Sequence, residues 1–502
     1  MFIFHFFKFT RILPFKKYIP ELVLLTAFVA IQLARIDADL WNDEIYSIVH
    51  FELVDFSTTL TDYHVPNNHI FFNLVNNVYL KAIGVASLYE LLQSPWIIRV
   101  LPFVYSLVTL IFVYLLGKKI ADRKAGLLAA IVLMTSIPYF YFSLQIRGYG
   151  MSMMLLTLLV YSCILFEESK QKKQLILIAV YTALLFYCVP SNLYFILGFL
   201  FFYGVKTIFS KPTSAGHFFK QYSSLVVYSL LIGISVSLLF YMNVFEEVFM
   251  NKYVKAGECF QFSKLKHNFY YFAAALLSKR IVLLLLILVG LIVVLKKKQK
   301  TNHSVLLLLS IGLIPFLAVF VRGDAAPLRI YTVAIPVFSI LIGVGLYAFW
   351  DALKSKFPFN LYLLLIGLYC LITFRIEISN VQQKIYGDIV NSKRSQSLYH
   401  QYYSAHFSPY AVIGDFAENH YTGDPLVILG GEGHCVPYYL DAFDIAFYQK
   451  DAFHLVKDKF DNFYVITNHP YSLRDYQKQY KIEFLGNKLT YHNLFRLKKR
   501  LY

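Results

Sequence analysis

The chain has 502 residues, of which 58% are hydrophobic and 15% charged, with a mean hydropathy of +0.55. A soluble domain carries roughly 25% charge, so this composition excludes an ordinary soluble protein and indicates a polytopic membrane protein. The net charge of +17 does not point to nucleic acid, because the basic residues sit in short loops between apolar runs, where they report topology.

A membrane span needs about 20 apolar residues. About eleven stretches approach that length: Tyr18 to Leu33, Pro95 to Leu116, Ala125 to Phe142, Gly148 to Phe166, Leu175 to Val189, Leu193 to Phe209, Ser223 to Met242, Arg280 to Leu295, Ser304 to Val321, Ile330 to Trp350 and Leu361 to Phe374. No small-residue cleavage site follows the first, so it reads as an anchor. Lys8, Arg11, Lys16 and Lys17 precede it. Lys118, Lys119, Arg123 and Lys124 follow the second stretch, and Lys170, Lys172 and Lys173 the fourth. Lys206 and Lys211 follow the sixth, Lys296, Lys297, Lys298 and Lys300 the eighth, and Lys354 and Lys356 the tenth. All of these fall on one side if the N-terminus is cytoplasmic. The exception is the long loop from Asn243 to Lys279, with Lys252, Lys255, Lys264 and Lys266 on the outside. Within it, Asn268 to Leu277 reads as an amphipathic helix along the membrane surface.

An odd number of spans places the C-terminal region outside. From Glu377 the apolar runs shorten. Pro425 to Gly430, Asn462 to Asn468 and a final pair around Lys481 and Arg496 read as strands. Val436 to Phe443 and Ser472 to Tyr480 read as helices, which together suggest a small α/β domain. The expected architecture is therefore an all-α polytopic membrane domain over 1–376, whose first outside loop spans 37–94, and an extracytoplasmic α/β domain over 377–502. Of the five cysteines, Cys163, Cys188 and Cys370 lie in apolar runs, whereas Cys259 and Cys435 fall outside and could pair. Gly431 to Cys435, after a strand, reads first as a plain glycine turn, with a ligand-cradling turn as the alternative.

Four stretches carry chemistry, and all fall on the outer face under this topology. The first outside loop gathers Asp37, Asp39, Asp43, Glu44, Glu52, Asp55 and Asp62 with His50, His64, Asn67, Asn68 and His69. Asp43 and Glu44 stand at a helix start, where capping is the plain role of a carboxylate. As chemistry, one of them can take the proton of an incoming hydroxyl while the other orients it or holds a metal. His64 and His69 are metal-ligand types, but hydrogen bonding to a sugar suits them as well, together with Asn67 and Asn68. A divalent metal stays possible, and no cofactor is certain. In SLQIRGYGMSM, Arg147 can fork onto phosphate oxygens or simply snorkel to the interface. Gly148 and Gly150 permit a tight turn around Tyr149. Beyond the ninth span, Arg322 and Arg329 form a second possible phosphate clamp beside Tyr331, while an Arg322–Asp324 surface pair is the plain alternative.

The stretches LWNDEIYSIV, VPNNHIFFNLV, IIRVLPFVYSLVTLIFVYLLGKKI, IPYFYFSLQIRGYGMSMMLLTLL and RIYTVAIPVF resemble, in this order over the first 350 residues or so, the GT-C superfamily of integral-membrane glycosyltransferases. The likeness is to the branch of protein O-mannosyltransferases, lipid A aminoarabinose transferases and rhizobial core transferases. It implies transfer of a sugar from a polyprenyl-phosphate carrier to an acceptor hydroxyl of a glycan, lipid or protein on the outer face of a bacterial plasma membrane. Asp43 then matches the family's catalytic acid, Glu44 completes the pair, and Arg147 matches the arginine expected at the lipid phosphate. The family's Pro-Pro element is replaced by Pro66-Asn67-Asn68-His69, and the WWDxG signature of oligosaccharyltransferases is absent. A carrier or flippase for the same lipid is the competing reading. Transporters place polar groups near the midplane within paired repeats, and no repeat is visible here.

Overall fold

The computed structural model describes residues 15–209, 214–250, 260–263, 265, 266, 269, 270, 281–296, 300–322, 328–354, 356–390, 408–429, 435–468, 470–488, 490 and 492–500. Helix α1 (Phe15–Leu33) leads into short helices, α2 (Asn42–Ser47), α3 (Phe56–Thr61), α4 (Ile70–Ile83) and α5 (Leu88–Gln93). A bundle follows: α6 (Trp96–Ile120), α7 (Arg123–Met134), α8 (Ile137–Phe142), α9 (Gly148–Ser169), α10 (Lys172–Cys188), α11 (Leu193–Ile208) and α12 (Ser214–Phe240). After α13 (Phe245–Phe249) come α14 (Ile281–Lys296), α15 (Lys300–Arg322), α16 (Ile335–Leu353) and α17 (Phe359–Val390).

Every apolar stretch singled out from the sequence is mostly helical where it is described. Among the described residues, seven helices are long and apolar enough to cross a membrane: Trp96–Ile120, Gly148–Ser169, Pro190–Ile208, Gln221–Phe240, Asn302–Arg322, Arg329–Leu353 and Phe359–Asn380. The chain is thus an integral membrane protein with fewer full-length spans among these residues than the eleven expected. One reason is visible at Ala125 to Phe142. Thr135 Oγ1 donates back to Ile131 O at 2.8 Å and Pro138 stands in the first turn of α8, so the helix breaks between Met134 and Ile137. The 12-residue α7 then reaches only about 18 Å.

In a bilayer, helices gain little from burying apolar faces against one another, so close backbone approach matters more. A Cβ on Gly343 of α16 would lie 2.6 Å from the Ala129 amide of α7, so only glycine permits that crossing.

The basic residues read as one-sided are found with acids at one end of the bundle. Arg123 Nε lies 2.5 Å from Glu21, Lys206 Nζ lies 2.9 Å from Glu167 and Lys119 pairs with Glu168. Glu167 and Glu168 close the far end of α9, about 30 Å from its start at Gly148.

The C-terminal region contains a five-stranded sheet in the order β2-β1-β3-β5-β4, with β1 (Leu426–Ile428), β2 (Phe447–Tyr448), β3 (Asn462–Thr467), β4 (Tyr480–Gly486) and β5 (Asn493–Lys499). β1 runs parallel to β2 and β3, and β5 is antiparallel to β3 and β4. Helices α18 (Tyr410–Asn419), α19 (Cys435–Ala442) and α20 (Phe453–Lys459) flank it. The helix expected over Ser472 to Tyr480 is a 3-10 run, Pro470–Tyr476. Helix α17 runs through Glu377, where the composition changes, without a break. Of the amphipathic stretch Asn268 to Leu277 only Phe269 and Tyr270 are described. Cys259, Asp324 and the glycine turn at Gly431 to His434 also lie outside the described residues.

Candidate active site

Two neighbouring carboxylates on α2 have opposite surroundings. Glu44 is fully buried, and its Oε2 meets Arg99 Nη2 at 3.2 Å and accepts from Trp41 N at 3.1 Å. Its Oε1 accepts from Ile146 N at 2.9 Å. Arg99, buried on α6, also donates to Ala38 O and, at 3.0 Å, to Asp39 O. Glu44 therefore fixes α2 to α6 and to the α8–α9 turn, with both oxygens occupied. Breaking one partner of a buried ion pair costs about 3–5 kcal/mol, because the other charge stays buried. Glu44→Gln is expected to lower the melting temperature of the purified protein markedly; an unchanged melt would remove this scaffold role.

Asp43 is the partly exposed member. Its side chain is 24% accessible, and Oδ2 lies 3.5 Å from Arg329 Nη1. Its carbonyl is held on the inner side by Ser47 Oγ at 2.9 Å, Arg147 Nη1 at 3.4 Å and Asn67 Nδ2 at 3.5 Å. The carboxylate thus reaches Arg329 from a backbone that three donors fix.

The Arg147-Gly148-Tyr149 turn supplies the opposite wall. Arg147 is 2% exposed and also donates to Ser47 Oγ at 3.0 Å. Gly148 N donates to His69 Nδ1 at 2.8 Å. A Cβ on Gly148 would stand 3.0 Å from that same nitrogen, so the approach favours glycine. Burial, and then the Arg147 and Arg329 guanidinium groups, hold the His69 pKa well below the usual range, so the ring is neutral with Nδ1 as acceptor. Tyr149 packs edge-on against His69 at 5.2 Å and lies within hydrogen-bonding reach of Arg329.

Asp43, Glu44, Arg147, Tyr149, Asn67, His69 and Arg329 are thus brought together. Asn68 is buried beside them, donating to Thr59 O at 3.0 Å and Asp62 O at 2.7 Å. His64 is half-exposed and bonds Asp62 and Tyr46. Arg322 instead donates to Tyr194 Oη at 3.1 Å, and Tyr331 is buried with its ring stacked on Phe316 at 4.2 Å. Among the described residues no three His, Cys, Asp or Glu side chains are grouped to hold a metal ion.

Sequence reasoning gave no role to Arg99 or to Glu52, which is also fully buried. A lone arginine in an apolar run was the available signal for Arg99. The contacts by which the C-terminal region meets the first loop were not legible in the sequence. Tyr439 Oη donates to Leu40 O at 2.8 Å, and Ser408 lies close enough to the Asp39 carboxyl to lower its pKa. Burial raises the pKa of that carboxyl, against the pull of Arg99. The Cys435 thiol, at the start of α19, is pushed up to about 12 by burial, with the Asp43 carboxylate adding to the shift. The domain is therefore seated directly on the Asp43 loop.

The family model for dolichyl-phosphate-mannose-protein mannosyltransferases matches residues 85–240. No curated protein sequence matches. Among solved structures, ArnT from Cupriavidus metallidurans in the apo state is similar with a TM-score of 0.56 at 11% identity, covering 94% of this chain and 97% of that one. The same protein bound to undecaprenyl phosphate gives 0.54 at 10% identity, covering 95% and 97%. The oligosaccharyltransferase of Archaeoglobus fulgidus gives 0.47 at 12% identity, covering 92% and 71%. The ArnT likeness extends over nearly the whole chain, so the fold is that of ArnT.

Proposed function

We propose that the chain is a glycosyltransferase that moves a sugar from a polyprenyl-phosphate donor to an acceptor hydroxyl of a cell-envelope glycan, lipid or protein, with inversion and with Asp43 as general base. The observation that carries this reading is Arg147. A buried cation is normally paired, because an isolated charge is costly away from water. Arg147 has only neutral acceptors, the Asp43 carbonyl and Ser47 Oγ, and among the described residues no carboxylate pairs with it. Such a group is kept for an anion that arrives. Its position beside Asp43, in a fold shared with a protein solved with undecaprenyl phosphate, suits the phosphate of a lipid carrier.

The chemistry follows. The acceptor hydroxyl gives its proton to an Asp43 carboxylate oxygen and attacks the anomeric carbon. The bond from that carbon to the phosphate oxygen breaks, and the phosphate leaves with the electron pair. Arg147, with Arg329 and Tyr149, stabilises the charge that grows there. Arg329 has a second part. Its pairing with Asp43 is partly exposed and worth about 0–1 kcal/mol. A donor phosphate competes for that guanidinium and frees the carboxylate to act as base, so donor binding prepares the base. Asn67 and His64 line the acceptor side, and Glu44, Asn68 and His69 hold the frame. Arg322 and Tyr331 serve, in this reading, at the lipid side and in packing. The protein lies in the bacterial plasma membrane, N-terminus cytoplasmic, with chemistry and C-terminal domain on the outer face.

Mass spectrometry of envelope glycans and polyprenyl-phosphate sugars tests the reading. A deletion host should lack one sugar from a glycan and accumulate the matching lipid-phosphate sugar, and the wild-type chain should reverse both. Identical glycans and lipids with and without the chain would overturn it.

A further inference from the structure

Behind Arg147 lies a carboxyl that the mechanism does not use. Glu52 ends the π-helical turn Ile48–Glu52, in which Leu53 N bonds Ile48 O at 2.9 Å, five residues back. Ser47, the residue whose Oγ accepts from Arg147, immediately precedes that turn. Glu52 is fully buried. Its Oε1 accepts from Asn76 Nδ2 at 2.9 Å. The Asn73 amide lies 3.0 Å from the same oxygen, in the orientation that also accepts from His69 N at 3.2 Å. Among the described residues no donor reaches Oε2. An anionic carboxylate would leave a charged oxygen buried and bare, which is costly. A neutral acid fits: Oε1 is the carbonyl that takes both amides, and Oε2 carries the proton.

We propose that Glu52 is a positioning residue held as the neutral acid behind Arg147, so that the guanidinium keeps its full charge for the donor phosphate. This rests on the assignment of Arg147 to that phosphate. Were Glu52 ionised, it would become the carboxylate partner that Arg147 otherwise lacks and would compete with the ligand. Among the described residues, the groups that act on Glu52 are Arg147 just before α9, Glu44 from α2, Asn73 and Asn76 from α4, and Tyr105 from α6. Burial raises the Glu52 pKa to about 8 against the pull of Asn76 and Arg147, and Glu44 adds to the rise. The folded protein thus holds this proton more tightly than the unfolded chain. The contribution of Glu52 to stability is fullest below about pH 4.5 and is lost as pH rises through about 8.

The test is undecaprenyl phosphate binding by the full chain in nanodiscs from pH 7 to pH 9, for wild type, Glu52→Gln and Arg147→Gln. A phosphate monoester is already largely dianionic across this window. If only the neutral Glu52 form binds, the wild-type Kd rises about tenfold between pH 7 and pH 9, whereas Glu52→Gln binds with a flat profile near the pH 7 wild-type value. The same alkaline weakening in Glu52→Gln would overturn the proposal, as would loss of binding at pH 7 in a folded Glu52→Gln protein. Should Glu52→Gln not fold, infrared spectra of wild type decide. A protonated carboxyl band present at pH 7 and lost by pH 9 supports the proposal, and its absence at pH 7 overturns it. Unaltered binding by Arg147→Gln would instead sink the phosphate assignment itself, so the two failures are distinguishable.

Discussion

Arg147→Gln is expected to lose undecaprenyl phosphate binding and sugar transfer together, while melting no lower than the wild-type protein. Removing one preorganised electrostatic donor from a developing anion costs about 10²–10³ in kcat. Loss of ground-state phosphate binding raises KM as well. Stability moves the other way, because Arg147 is 2% exposed and hydrogen-bonded only to neutral oxygens. Burying such a charge weighs against the fold, so its neutral replacement relieves a cost that exists for function. Arg147→Lys keeps the charge but not the planar fork, and should retain weak binding with slow transfer. A calorimetric scan beside a lipid-binding titration checks both halves. A variant that melts far lower while still binding lipid would assign Arg147 to structure alone.

Asp43→Asn is expected to abolish transfer by a different route. A positioned general base contributes about 10²–10⁴, and an amide cannot take the acceptor's proton. The ion pair lost with Arg329 is partly exposed and is worth about 0–1 kcal/mol, so the fold should be unaffected. Donor binding should hold or tighten, since neutralising Asp43 removes the carboxylate that competes for Arg329. The signature is therefore a loss in kcat with an unchanged or lower Kd for undecaprenyl phosphate. An active Asp43→Asn enzyme would remove Asp43 from the chemistry. Weakened lipid binding would mean that Arg329 needs Asp43 to hold it in place.

Asp43 and Glu44 also show where reading residues in sequence runs out. They are neighbours, equal in type and charge, and nothing local assigns one to chemistry and the other to scaffold. Their surroundings do: Glu44 meets Arg99 from α6 and the Ile146 amide from the α8–α9 turn, contacts that span 55 and 102 residues. Glu52 was visible only as one more acid in an acidic loop. Its character depends on Asn73 and Asn76 one helix later. The histidines divided in the same way. His64 is half-exposed against Asp62 and Tyr46, while His69 is buried against Gly148 N, so the pairing that suggested a metal is spread over two environments.

By itself, the sequence determined the membrane character, the helical stretches, the basic end of the bundle and the loop where charged groups gather. These follow from hydrophobicity over about 20 residues and from charge between such runs, which are local quantities. Strands β1 and β3 and the final strand pair were legible for the same reason, as short apolar runs between turns. Only the tertiary structure decided that Ala125 to Phe142 is broken at Thr135, that α19 sits on the Asp43 loop through Tyr439, and that Arg147 is left without a carboxylate partner among the described residues. Burial and pairing are set by residues distant along the chain, and in a buried site they determine whether an ionisable group carries charge, gives up its proton or simply holds its neighbours in place.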